Sequence, residues 1–244
     1  VIDPLHLVSA LARRVGRAAP TEPLVARMCR AVVDLLDVDG GSVTCAPADE
    51  GRAVLCSTDP FARRVAEIEE VTGEGPGLAA FREQRSAAAL LGVRAGGVPG
   101  PERTIAFPLF VAALGEAADL DAEGAVEVRS WPVRAGGVPV AVLTLHARGA
   151  YRRALPVAEG QVLADALSGS IAGGGPTAAV RQTEERRRAR VHRAVGMVVA
   201  QTGLPPADAL ALLRARAFTG STGLSEVVEA VLDRRLAFSG DRTR

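Results

Sequence analysis

Lysine is missing from the 244-residue sequence, so all 29 basic residues are arginine. The 28 acidic residues nearly cancel them and leave a net charge of +1. A chain so balanced is no polyanion binder along its whole length, and any affinity for nucleic acid has to come from local clustering. Aromatic residues make up 3% of the chain against 48% hydrophobic residues overall, so cores must be built from Ala, Val and Leu. Cys29, Cys45 and Cys56 are an odd count, with no C-x-x-C pair and no histidine at metal-ligand spacing. That argues against a disulfide framework or a zinc site and fits a reducing, cytosolic setting. Val1-Ile2-Asp3-Pro4 has neither the basic segment nor the apolar run of a secretion signal, so a cytoplasmic location is expected. No stretch approaches the roughly 20 continuous apolar residues of a membrane span. A nucleophile elbow, a P-loop, a metal motif and a convergent Ser/His/Asp set are all lacking, so no catalytic residue, metal or cofactor is assigned and the protein is expected not to be an enzyme.

What is present begins with helical periodicity. Leu5, Val8, Leu11, Ala12 and Val15 predict a helix from Pro4 to Arg17. Leu24, Val25, Met28, Val32 and Leu35 predict a second, with Thr21 as its N-cap and Pro23 in its first turn. Ser42–Ala46 and Ala53–Ser57 read as a hairpin in which Cys45 and Cys56 face each other as packing residues. Pro60–Val71 is helical. Gly73-Glu74-Gly75-Pro76-Gly77 then forces a tight loop before a short helix, Leu78–Arg82. Such a loop can hold phosphate on its backbone N–H groups, but no Gly-Lys-Ser/Thr follows and Glu74 sits inside it, so a structural turn beside a pocket is favoured. Ser86–Leu91 is a candidate strand and Pro108–Ala118 a helix.

Arg94-Ala95-Gly96-Gly97-Val98-Pro99 recurs as Arg134-Ala135-Gly136-Gly137-Val138-Pro139, too short to be a structural repeat. Around the second copy, Val126–Val133 and Val140–His146 alternate on either side of Gly136-Gly137, the pattern of a β-hairpin. Pro156–Ile171 is helical. Gly173-Gly174-Gly175-Pro176 interrupts, and beyond it the chain is charged and helical with no strand signal. Three helices fit there: Thr177–Thr202, one opening at Pro205-Pro206 and ending before Gly220, and one following Thr222-Gly223. Helices this short and amphipathic bury one another only as a bundle. In the first, Val191, Val195 and Val198 share one side while Arg186, Arg190 and Arg193 stack nearly opposite. An arginine stripe suits carboxylates or phosphates, or is simply a solvated face.

The order Val191-x-x-Ala194-x-Gly196-Met197, Gly203, Asp208-Ala209-x-x-x-Leu213-Arg214-x-x-Ala217 and Leu224-x-x-Val227 resembles the ANTAR domain, a three-helix RNA-binding module of transcription antitermination regulators. The preceding part, with Gly73-Glu74-Gly75-Pro76 and the Trp131-Pro132-Val133-Arg134-x-Gly136-Gly137 hairpin, is similar to the GAF sensor domain. The resemblance implies an α+β chain. A GAF-like antiparallel sheet flanked by helices would span residues 1–172, a linker or helical arm 173–185, an ANTAR-like bundle 186–238 and a disordered tail 239–244. It implies a small-molecule ligand in the GAF-like domain, a homodimer without membrane attachment, and stem-loops of a nascent transcript as the bound RNA.

For RNA contact the resemblance and the arginine face together nominate Arg186, Arg190, Arg193 and Arg214, with Arg187 and His192 as neighbours. Ala194, Gly196 and Ala217 match the family motif. Their smallness either lets loop bases approach the backbone or serves helix packing. Two other readings stay open. One is a sensor and dimerisation scaffold that binds protein partners. The other is a helix-turn-helix-like DNA-binding regulator turning at Gly220-Ser221-Thr222-Gly223, although the third helix has its basic residues, Arg234 and Arg235, only at its end.

Overall fold

The computed structural model describes residues 3–19, 21–45, 53–92, 107–117, 125–149, 155–172, 178–220 and 222–238. The first part contains α1 (Pro4–Arg17), α2 (Leu24–Leu36), β1 (Gly40–Cys45), β2 (Ala53–Ser57), α3 (Pro60–Thr72), α4 (Pro76–Glu83), β3 (Ala87–Leu91), α5 (Pro108–Ala117), β4 (Val126–Ala135), β5 (Val138–Arg148) and α6 (Val157–Ala172). Then follow α7 (Ala178–Thr202), α8 (Pro206–Thr219) and α9 (Leu224–Leu232). The first copy of the six-residue repeat, the turn between β1 and β2, the Gly-Gly-Gly-Pro segment and the tail 239–244 lie outside the described residues.

The five strands form one antiparallel sheet in the order β2-β1-β5-β4-β3. Its centre is the expected hairpin. Gly136 and Gly137 take φ of 59° and 83°, the pair of positive values that a two-residue turn matching the strand twist requires. Side chains alternate across the central strands of the sheet. Val43, Trp131, Val133, Leu143 and Leu145 pack on one face against Leu7, Leu11, Val32, Leu163 and Leu167 of α1, α2 and α6. On the other face Val126, Val128 and Leu91 meet Val65 and Ile68 of α3 and Phe110 and Leu114 of α5. With so few aromatics, the one Trp carries much of the first core. Trp131 is fully buried and its Nε1–H donates to the Val157 carbonyl at 2.9 Å.

Two local expectations are corrected. The helix α2 starts at Leu24 with Pro23, not Thr21, in the N-cap position and no side-chain cap. Pro23 holds an extended ψ of 137°, and its carbonyl accepts from Ala26 and Arg27, so it starts the helix without a hydroxyl. Nor do Cys45 and Cys56 oppose each other. A register shift between Val43 and Thr44 sets Val43 opposite Cys56 and Cys45 opposite Ala53. The Cys56 thiol turns instead to α2, donating to the Val25 carbonyl at 3.8 Å and sharing a hydrogen bond with Cys29 one turn on. That bond raises the Cys29 pKa, with burial adding to the rise, and lowers that of Cys56.

From Ala178 onward the arm and the first bundle helix form one helix, α7. Val191, Ala194, Val195 and Val198 of α7 pack with Ala209, Leu213 and Ala217 of α8 and Leu224, Val227, Val228 and Val231 of α9. Val71, from the last turn of α3, joins this third core. The bundle therefore sits against α3, the helix whose inner side covers the sheet. Among the described residues no helix is long and apolar enough to cross a membrane.

Candidate nucleic-acid interface and sensor face

The valine side of α7 is buried and Arg186, Arg190, His192 and Arg193 are exposed. Arg186, Arg187 and Arg190 line a cleft of about 460 Å³ with Val191 and with Ser225, Val228 and Glu229 of α9. With Glu70 on Arg187 and Glu229 on Arg190, three guanidinium groups meet two carboxylates, which leaves this cleft positive by one charge, at Arg186. Arg190 pairs with Glu229, with half of the arginine side chain still exposed. An ion pair so open to water contributes about 0–1 kcal/mol, which a phosphate oxygen can displace. Ser225 and Glu229 are the cleft residues that sequence reading did not single out. Their i, i+4 spacing on α9 was the available signal.

The other nominated residues divide. Arg187 is half-buried and paired with Glu70 on α3. Arg214 lies beside Gly73 with its guanidinium partly out of water. That burial lowers its pKa, the Glu70 charge opposes the shift, and Arg82 reinforces it. Arg187 and Arg214 thus converge on the α3 side of the bundle, where Arg187 also forms part of the cleft wall. Ala194 and Ala217 are fully buried as packing residues of the bundle core. Gly196 is exposed, and a Cβ added there would meet nothing within 4 Å, so close packing does not account for it.

The Gly73–Gly77 loop places a carboxylate where a phosphate-binding loop would hold its ligand. The buried Glu69 side chain accepts from the Gly77 N–H at the start of α4. Glu74 accepts from the Leu109 and Phe110 N–H groups at the start of α5, the latter at 3.1 Å. Each helix start is thus satisfied by an internal anion. A structural turn is what the loop provides, and its space is filled by Glu69.

The sheet face under α3 is polar at its centre. Ser42, Thr144 and Ser130 stand opposite one another on β1, β5 and β4, all buried. Ser130 and Thr144 share a hydrogen bond of 2.8 Å, while the Ser42 hydroxyl has no partner among the described residues. Beside this row, His146 packs on Phe61 with centroids 4.7 Å apart and ring planes tilted by 60°, and reaches Asp59, the N-cap of α3, at 3.1 Å. Its Nδ1 is buried without a partner among the described residues. Two orphan polar atoms on one buried face are the groups that a small polar ligand or an ordered water satisfies. No sequence pattern announced this row, because its members come from three strands.

Burial acts to raise the Asp59 pKa, but hydrogen bonds from Ala62 N–H, Thr58 and His146 outweigh it, and the carboxyl lies below its usual value. A depressed carboxyl pKa stabilises the fold fully above the unfolded-state value and loses that contribution as pH falls through the folded value. Asp59→Asn keeps a capping oxygen for Ala62 but removes the charge. We expect this variant to be less stable near neutral pH and to lose less stability on acidification. Urea titrations across that pH range check this, and parallel wild-type and variant profiles would contradict it.

No protein-family model matches the chain, and no curated protein matches it. Among solved structures, the A. aeolicus nlh2 GAF domain in an inactive state is similar over 70% of this chain and 96% of its own, at 12% identity and a TM-score of 0.47.

Proposed function

We propose that the protein is a non-enzymatic, signal-responsive regulator that binds stem-loop RNA through its C-terminal bundle and acts by transcription antitermination. The sheet domain, GAF-like on its sequence motifs, would receive the signal as a small molecule against the polar face under α3. Two bundles, one from each copy of a homodimer, would engage paired stem-loops. The observation that carries this reading is the exposed arginine face of α7, with Arg186 and Arg190 opening on a positive cleft and Arg193 and His192 further along. Arginine suits the task because its planar fork pairs with phosphate and stacks on unpaired bases. Gly196 leaves open backbone surface on the same helix.

The reading is tested by an Arg186→Glu, Arg193→Glu double variant. Its affinity for hairpin RNA should fall about 100-fold at low salt, and the slope of log affinity against log salt should shrink by about two. Unchanged affinity and slope would remove α7 from the interface. Matched duplex DNA run alongside discriminates the helix-turn-helix alternative, which predicts the duplex as the tighter ligand. The scaffold alternative is favoured by a specific observation, since Arg187 and Arg190 already engage carboxylates of this chain. It predicts binding to neither nucleic acid.

A further inference from the structure

We infer that the seating of the bundle on α3 is an autoinhibitory latch, in which α3 withholds Arg187 and Arg214 from the transcript and Glu70 stands in for the RNA phosphate at Arg187. The inference rests on the RNA-binding reading of the bundle for its consequence, though not for the latch itself. Three contacts build the latch. Val71 enters the bundle core. Glu70, with 11% of its side chain exposed, pairs with Arg187. Arg214 covers Gly73 at the end of α3, within the field of Glu70. Arg187 is therefore spent on an internal carboxylate and Arg214 is laid over the end of α3, so the RNA and α3 cannot both have them.

The contact is also poorly satisfied, which distinguishes a releasable seat from a permanent one. The Arg214 Nε is buried with no hydrogen-bond partner among the described residues. A buried guanidinium N–H without an acceptor is a cost that release to water removes. The docked state thus sets one ion pair and the packing of the end of α3 on α8 and α9 against a desolvation penalty, a balance that a ligand can tip. The same helix runs from the polar sheet face, where Asp59 caps it beside His146, to the seat at Glu70 and Val71. Movement of α3 at its first turn reaches the latch through one rigid element.

The test uses the full chain and Glu70→Gln, with Glu70→Asp as a second variant that keeps the charge but falls short of Arg187. Hydrogen exchange at the last turn of α3 and along α8 reads docking, and hairpin-RNA titration reads the consequence. In both variants exchange at these two places should rise, with the sheet strands staying protected as the control for folding. Hairpin affinity should rise about tenfold as the competent fraction grows. By reciprocity, adding hairpin RNA to the wild type should itself raise exchange at the end of α3. Unchanged exchange in both variants overturns the latch. Raised exchange with unchanged affinity, where the wild type binds RNA, overturns its inhibitory role. If neither wild type nor variants bind hairpin RNA, the functional reading fails, and raised exchange still supports the latch as a releasable seat.

Discussion

Trp131→Ala is expected to lower the unfolding free energy by about 3–5 kcal/mol, the range for truncating a large buried aromatic. Several features place this residue at the high end. Its side chain is fully buried, and it is the one indole in a chain with 3% aromatics. Leu143 stands opposite it on β5, and the first core around it is otherwise aliphatic or sulfur-bearing, with no second aromatic ring among its described residues to move into the void. The backbone of α6 approaches so closely that a Cβ at Gly160 would lie 2.3 Å from the Trp131 ring. Truncation therefore removes buried area, opens a cavity and leaves the Val157 carbonyl without its side-chain donor. Urea unfolding followed by far-ultraviolet circular dichroism measures the loss. A change under 1 kcal/mol would show that α6 collapses onto the sheet and that the core is not closely fitted.

The second large effect is expected at Gly75. Its φ of 146° with ψ of 168° lies in a region that only glycine occupies readily. An added Cβ would stand 2.5 Å from Glu69 Cγ, and Glu69 is anchored by the Gly77 N–H. Gly75→Ala combines backbone strain with displacement of a buried carboxylate from a helix start, each costing about 1–3 kcal/mol. We expect a total near 3 kcal/mol, read as a drop in thermal midpoint. The variant should also show faster hydrogen exchange in α4. A midpoint within a degree of wild type would mean that Glu69 does not plug the loop.

The sequence made legible whatever is encoded locally. The β4–β5 hairpin follows from alternation around two adjacent glycines, and the bundle follows from valines at helical spacing on α7 and α9. Glu69 shows where local reading stops. The glycines and proline announced a tight loop, but not that a carboxylate four residues earlier would occupy it. Cys56 shows a second limit, because one bulge in β1–β2 redirects its thiol from Cys45 to Cys29. The pairs Asp59–His146 and Glu70–Arg187 lie 87 and 117 residues apart, and charges so distant in the chain carry no periodic signature. The arginine face of α7 was visible as a pattern. Which of its members face solvent and which face α3 depended on how the bundle seats.

The burial of Trp131 has a consequence for optical work on this protein. The sequence holds one Trp and one Tyr, so intrinsic emission excited at the red edge comes from a single indole in a dry, hydrogen-bonded niche between the sheet and α6. That lamp lies on the opposite side of the sheet from α3. Its colour therefore tracks melting of the sheet–α6 layer and stays dark to the coming and going of the bundle.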